Sequence, residues 1–136
     1  MKIDNHAALR VLLVEDSLPI RSRIRSLIEE SVPVVTIVGE AADANRAISL
    51  FQEHLPDAVV LDLHLEGSTG YTVLEEIKRR HPVCVVIILT SFAIPECRAR
   101  CFHLGADYFF EKSTEFERVP ETLAALSSSR LKSGRI

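Results

Sequence analysis

Residues 59–70 of the chain read VVLDLHLEGSTG. A continuous run of branched apolar side chains ends abruptly on an acid, Asp62, and a loop of small and polar residues follows. Such a short apolar run is typical of a strand that is buried on both faces, as in a parallel sheet. We therefore predict a strand at Ala58–Leu61 with a carboxylate at its carboxyl end.

Further apolar runs occur on both sides of this one, and longer amphipathic segments separate them. The predicted strands are Leu9–Val14, Val34–Glu40, Ala58–Leu61, Cys84–Leu89 and Tyr108–Glu111. The predicted helices, which carry apolar residues at three- and four-residue spacing, are Ser17–Glu30, Asp43–His54, Tyr71–Arg80, Glu96–Leu104 and Phe116–Ser127. This alternation predicts an α/β fold, a doubly wound five-stranded parallel sheet with five helices.

Length and composition predict that these elements form one domain. The chain has 136 residues, of which 47% are apolar and 26% charged, as in a globular domain with a full core. We expect the single domain 1–136 to have its core at about 9–127. The last residues, 128–136, have little to bury, and a disordered tail is expected there.

Charge and hydropathy exclude several classes of protein. A net charge of −3, with both signs interspersed, provides no broad positive field for direct nucleic-acid binding. Arg21, Arg23 and Arg25 could form an anion site, but such a run is more often a solvated helix face, which we expect here. No apolar run reaches the roughly 20 residues of a membrane span, and MKIDNHAALR does not resemble a signal peptide, so a cytoplasmic location is expected.

The cysteines do not indicate a disulfide framework or a zinc site. Cys84, Cys97 and Cys101 are an odd number, and no two of them have the paired spacing of a metal site. A redox role for Cys97 and Cys101, four residues apart, is less expected than simple packing.

Polar residues stand at the carboxyl ends of four predicted strands. They are Glu15, Asp16, Asp62, Thr90 and Lys112. The carboxyl ends of parallel strands share one edge, where ligands of such sheets bind. Three carboxylates at this edge would repel one another unless a cation compensates their charge, and Mg²⁺ suits a sparse set of oxygen ligands. The lysine ammonium and the threonine hydroxyl are donors suited to phosphoryl oxygens, so the set predicts a phosphoryl-transfer site.

The sequence also resembles a known family, the receiver domains of bacterial two-component response regulators. The resemblance lies in VLLVEDS, VVLDLHLEGSTG, ILTS and GADYFFEKS, and it extends from about Leu9 to Leu126. It implies a flavodoxin-like strand order, 2-1-3-4-5. The chain resembles the stand-alone receivers of the chemotaxis type, and the alternative that it is an excised fragment of a longer regulator stays open.

The resemblance implies a role for each site residue. Asp62 would accept a phosphoryl group from a sensor histidine kinase, a phosphotransfer protein or a small acyl phosphate, with Lys112 and Thr90 contacting that group. Glu15, Asp16, Asp62 and the backbone carbonyl of His64 would bind Mg²⁺. The family implies no enzyme activity beyond the domain's own phosphorylation and dephosphorylation.

Signalling in this family implies a switch and a protein partner. Thr90 would move to the phosphoryl group, and Phe109 would rotate inward. These movements would reshape the face of the fourth helix, fifth strand and fifth helix, which binds a downstream effector and commonly forms homodimers. His64 and Phe92 would flank the site, where the bulky ring of Phe92 should hinder water and prolong the phosphorylated state; simple packing of this ring is the alternative.

Two positions depart from the family pattern. Ser113 stands where a proline, often after a cis peptide bond, commonly follows the lysine, and a cis bond before serine would be costly. The isomer of the Lys112–Ser113 bond therefore stays open. Glu66 replaces a frequent proline in the loop after Asp62.

Three other functions would also suit parts of this sequence. A receiver-like adaptor would bind its partner without phosphorylation, but the acid set is intact. A phosphatase of the haloacid dehalogenase class would need an acid two residues after Asp62, where His64 stands. A flavodoxin-like flavin binder should have a Ser/Thr-rich phosphate loop after its first strand, and EDSLPIRS does not supply one.

Overall fold

A computed structural model describes residues 8–133 of the chain. In chain order the elements are β1 (Leu9–Val14), α1 (Leu18–Ser31), β2 (Val35–Ala41), α2 (Ala44–His54), β3 (Ala58–Leu61), β4 (His64–Leu65), β5 (Ser68–Thr69), α3 (Gly70–Arg80), β6 (Val85–Thr90), α4 (Pro95–His103), β7 (Tyr108–Glu111), α5 (Lys112–Glu115) and α6 (Arg118–Ser133). Within this range, no helix is both long and apolar enough to cross a membrane.

The central sheet has five parallel strands in the order β2-β1-β3-β6-β7. The predicted doubly wound fold and its strand order are therefore confirmed. The order reverses at β1, which pairs with β2 on one side and with β3 on the other. This reversal leaves a crevice between the carboxyl ends of β1 and β3, where ligands bind in folds of this kind.

Alternating side chains divide the core into two apolar layers. On β1, Leu12 and Val14 join the layer that packs against α2, α3 and α4. Val11 and Leu13 point to the other face, where the layer includes residues of α1 and α6. Both faces of the sheet are thus covered, which explains why the strands are continuous apolar runs in the sequence.

The predicted starts of two helices are N-caps in the structure. The Ser17 hydroxyl accepts a hydrogen bond from the amide of Ile20, and the Asp43 carboxylate accepts one from the amide of Arg46. Each side chain satisfies an amide that the first helical turn leaves unpaired. The helices themselves begin one residue later, at Leu18 and Ala44.

The C-terminal part of the chain differs from the prediction. A short sixth helix, α5, begins at Lys112, and α6 continues to Ser133 although the prediction ended it at Ser127. The tail from residue 128 was expected to have little to bury. Ser127 is in fact fully buried, and its hydroxyl donates to the carbonyl of Val34 at 3.1 Å. The predicted disorder of 128–136 is therefore wrong for the helical part up to Ser133, and the rest lies outside the described residues.

A second difference concerns the loop after Asp62. The predicted loop contains a small antiparallel hairpin, in which His64 pairs with Thr69.

The arginine run of α1 was interpreted as a solvated helix face, and this is wrong for Arg21. Its side chain is only 15% exposed because it forms an ion pair with Glu40 on β2.

Candidate functional site

The crevice at the carboxyl edge of the sheet brings the predicted polar residues together. Glu15 and Asp16 follow β1, Asp62 follows β3, Thr90 ends β6 and Lys112 follows β7. The strand order places these ends side by side, although the residues are up to 97 positions apart in the chain.

The three acids form one cluster. Glu15, Asp16 and Asp62 each place a carboxylate oxygen within 4.8 Å of the others. Glu15 and Asp62 are buried, with 2% and 4% of their surface exposed, and Asp16 is exposed. A set of carboxylate oxygens that is open on one side is the kind of site that Mg²⁺ prefers, because this ion retains several waters. The donors therefore fit a hard divalent cation.

Lys112 lies between the two buried acids. Its Nζ is 2.5 Å from Oε1 of Glu15 and 2.8 Å from Oδ2 of Asp62. Burial alone would lower the pKa of Lys112, but hydrogen bonds to the two carboxylates raise it, so the side chain carries its charge. Burial raises the pKa of Glu15, although its bond to Lys112 opposes this change.

Backbone groups hold the other carboxylate oxygens in place. The amide of His64 donates to Oδ1 of Asp62 at 3.2 Å, and the amide of Ser17 donates to Oε2 of Glu15 at 2.9 Å. The main chain is also fixed, since the amide of Asp62 donates to the carbonyl of Val14. The acids are thus oriented before any ligand arrives.

Gly70 is a residue of the site that the sequence analysis did not single out. An ideal Cβ at this position would lie 2.2 Å from the carbonyl oxygen of Asp62, which is closer than any real contact allows. The amide of Gly70 donates to the carbonyl of Leu63 at 2.8 Å. Only glycine permits this approach of α3 to the loop that begins at Asp62. In the sequence, the only sign of this role is that a glycine ends the segment LEGSTG.

Thr90 and two aromatic rings form the rim of the crevice. Thr90 is fully buried, and its hydroxyl accepts a hydrogen bond from the amide of Phe92 at 3.0 Å. The rings of Phe92 and His64 lie 5.3 Å apart at an interplanar angle of 34°. Phe92 remains 51% exposed although its ring packs beside that of His64.

Phe109 is already inside the protein. Only 4% of its surface is exposed, and its ring lies 6.5 Å from that of Phe102. The guanidinium of Arg98 lies over this ring and donates to the carbonyl of Phe109 at 3.4 Å. Phe109 is therefore buried against α4 in this conformation.

The chain after Lys112 uses side-chain hydrogen bonds where the family commonly has a proline. The Lys112–Ser113 bond is trans, since the described residues contain no cis peptide bond. The hydroxyl of Ser113 donates to Oε1 of Glu111 at 2.9 Å, and the amide of Glu111 donates to Oε1 of Glu115 at 3.1 Å. The second bond satisfies the amide of Glu111 at the start of α5.

Comparisons with known proteins agree with this geometry. The family model of the response regulator receiver domain matches residues 11–124. The transcriptional regulatory protein YdfI of Bacillus subtilis (strain 168) is 32% identical over 85% of this chain, which spans 54% of YdfI. Protein CcdB of the same organism is also 32% identical over 85% of the chain, which spans 94% of CcdB.

A solved structure of a response regulator is also similar to this chain. A two-component response regulator of the LuxR family from Aurantimonas sp. SI85-9A1 superposes with a TM-score of 0.81 at 31% identity, covering 90% of this chain and 87% of that one. Some relatives are longer than this chain, which spans about half the length of YdfI. On the family match, the relatives and the fold together, the chain belongs to the receiver-domain family of two-component response regulators.

Proposed function

We propose that this receiver accepts a phosphoryl group on Asp62 in a Mg²⁺-dependent reaction and transmits that state to a protein partner. The observation that carries the proposal is the environment of Asp62. Its buried carboxylate contacts Lys112 through one oxygen and the amide of His64 through the other, beside two further acids. The donor would be a phosphohistidine of a sensor histidine kinase or of a phosphotransfer protein.

The acidic cluster would bind the metal ion. Glu15, Asp16, Asp62 and the backbone carbonyl of His64 are the proposed ligands, all of them hard oxygen donors. When bound, Mg²⁺ neutralises charge on the phosphoryl oxygens and on the crowded carboxylates.

The side chains of this chain would carry out the transfer itself. An Asp62 oxygen attacks phosphorus and forms an acyl phosphate, while the bond from phosphorus to the donor imidazole breaks and its electron pair returns to that nitrogen. Lys112 donates to a phosphoryl oxygen, and its position 2.8 Å from Asp62 supports this role. Thr90 supplies a second donor once its hydroxyl turns from the amide of Phe92 to the phosphoryl group.

The signal would leave the site through the face formed by α4, β7 and α6. Thr90 ends β6 and pairs in register with Glu111 of β7, so a movement at Thr90 is adjacent to this face. Phe109 on β7 packs beside Arg98 of α4, which links the two elements. A cytoplasmic protein effector, or a second copy of the chain, would recognise the changed face.

Intact mass spectrometry tests the proposal. The protein is incubated with Mg²⁺ and a small acyl phosphate, beside an Asp62→Asn variant that keeps the shape of the side chain. We expect one added phosphoryl group on the wild type, none on the variant, and loss of the adduct when EDTA is present from the start. An unmodified wild type that also accepts nothing from a phosphorylated kinase domain would favour the adaptor that acts by binding alone.

A further inference from the structure

Arg21 joins the acidic end of β1 to the edge strand of the sheet. Its Nη1 donates to the carbonyl oxygen of Glu15 at 2.6 Å, and its Nε donates to Oε1 of Glu40 at 2.9 Å. The side chain is 15% exposed, although it begins on an otherwise solvated part of α1. A single guanidinium thus contacts two groups: the backbone carbonyl of Glu15 and the carboxylate of Glu40 on β2.

The carbonyl that Arg21 contacts belongs to the peptide bond between Glu15 and Asp16. The other polar groups of Glu15 already have partners: its amide donates to the carbonyl of Ala41, and its carboxylate contacts Ser17 and Lys112. The orientation of this peptide decides the direction in which the exposed side chain of Asp16 leaves the main chain. The bond to Arg21 therefore restrains Asp16, the one acid of the cluster that is exposed and not held in place by burial.

Glu40 provides the fixed end of this link. It also accepts a hydrogen bond from Nε of Arg25 at 2.6 Å, so two guanidiniums from α1 hold one carboxylate. Burial would raise the pKa of Glu40, but Arg25 and Arg21 lower it overall, and the carboxylate stays charged at neutral pH. A planar guanidinium carries five N–H donors in a rigid fork, so Arg21 can hold the Glu15 carbonyl and the Glu40 carboxylate in a fixed relative geometry.

We propose that Arg21 is a positioning residue of the metal site, which sets the Glu15–Asp16 peptide so that both acids face Asp62. The inference rests on the proposed Mg²⁺-dependent function. Arg21 touches neither the ion nor the phosphoryl group and acts only through the backbone of the acidic pair. Partners of this kind, one step removed from the ligands, commonly tune metal affinity.

Arg25 offers a matched control on the same helix. Arg25→Gln removes a guanidinium that pairs with the same Glu40 but does not reach Glu15, and Arg21→Gln removes both contacts. The full chain of each variant is titrated with Mg²⁺ by isothermal titration calorimetry, and its unfolding temperature is measured without Mg²⁺. We expect Arg21→Gln to raise the Kd for Mg²⁺ about 10-fold. Arg25→Gln should leave the Kd close to the wild-type value.

The two measurements separate a role in the site from a role in stability alone. If Arg21→Gln lowers the unfolding temperature but binds Mg²⁺ like the wild type, Arg21 is merely structural and the inference is overturned. An equal loss of Mg²⁺ affinity in both variants overturns it as well, since the effect would then come from Glu40. A wild type that binds no Mg²⁺ and accepts no phosphoryl group would instead overturn the proposed function, and this inference with it.

Discussion

At the scale of single residues, the missing side chain of Gly70 sets how closely α3 approaches Asp62. Any Cβ there would meet the Asp62 carbonyl, which is backbone and cannot rotate away. Gly67, three residues earlier, needs glycine for another reason. Its φ is +69°, but nothing lies within 4 Å of an added Cβ. One glycine is required by contact and the other by conformation.

Gly70→Ala should therefore lower the free energy of unfolding more than Gly67→Ala does. Displacing the Asp62 backbone should destabilise the protein by about 3 kcal/mol, the upper range of overpacking. A left-handed alanine at position 67 should cost about 1 kcal/mol. Urea unfolding measures both, and the rate of phosphorylation should fall only for Gly70→Ala. Equal costs for the two variants would show that the contact with Asp62 relaxes easily.

The ring of Phe92 gives a second prediction at this scale. Phe92→Glu should shorten the life of the phosphorylated state, because a carboxylate would replace an apolar ring that hinders water beside the site. A time course of intact mass after removal of the phosphoryl donor measures the loss. Ile94→Glu is the control, since Ile94 is 52% exposed and Phe92 is 51% exposed. An unchanged rate in Phe92→Glu would mean that the ring only packs against His64.

At the scale of elements, the contact of α1 with β2 depends on charge. Glu40 on β2 binds Arg21 and Arg25 of α1, whereas most other contacts between helices and the sheet are apolar. This contact supports the edge strand next to β1. The stability that it adds should therefore depend on pH.

Glu40→Gln tests this dependence. The pKa of Glu40 is lower in the folded protein than its ordinary value of 4.5, so its contribution is complete above that value and is lost as pH falls through the folded pKa. At pH 7 the variant should be less stable by about 1 kcal/mol. Urea unfolding of both proteins from pH 7 downward should show this difference shrinking below 4.5. A difference that stays constant with pH would contradict the role of the charge.

At the scale of the whole molecule, the fold gathers negative charge at one edge and compensates it only partly. One ammonium, that of Lys112, lies among the three acids of the cluster. The remaining repulsion should weaken the folded state when no cation is bound. Binding of a cation and stability of the fold are therefore coupled.

Mg²⁺ should raise the unfolding temperature of the wild type. At a concentration 100 times the Kd, binding to the folded state alone adds about 2.7 kcal/mol. Asp16→Asn should abolish most of this shift, and it should itself raise the stability without Mg²⁺ slightly, because it removes one of the repelling charges from an exposed position of the cluster. Differential scanning calorimetry of both proteins, with and without Mg²⁺, measures the change in unfolding temperature. A shift that persists in Asp16→Asn would place the ion elsewhere.

The sequence by itself determined the order of the five central strands and of the five longer helices, the fold class and the residues at the strand ends. These features are local: apolar runs predict buried strands, and three- and four-residue spacing predicts helices. All five strands of the central sheet lie within one residue of their predicted bounds. The capping residues Ser17 and Asp43 could likewise be read from short segments.

Only the tertiary structure decided which distant groups meet. Lys112 lies between Glu15 and Asp62, Gly70 approaches the carbonyl of Asp62, and Arg21 contacts Glu15 instead of solvent. These contacts depend on how α1 and α3 pack against the sheet and on the path of the chain after β7. Helical spacing predicts a helix face but not the group that the face meets, since long-range packing sets that partner.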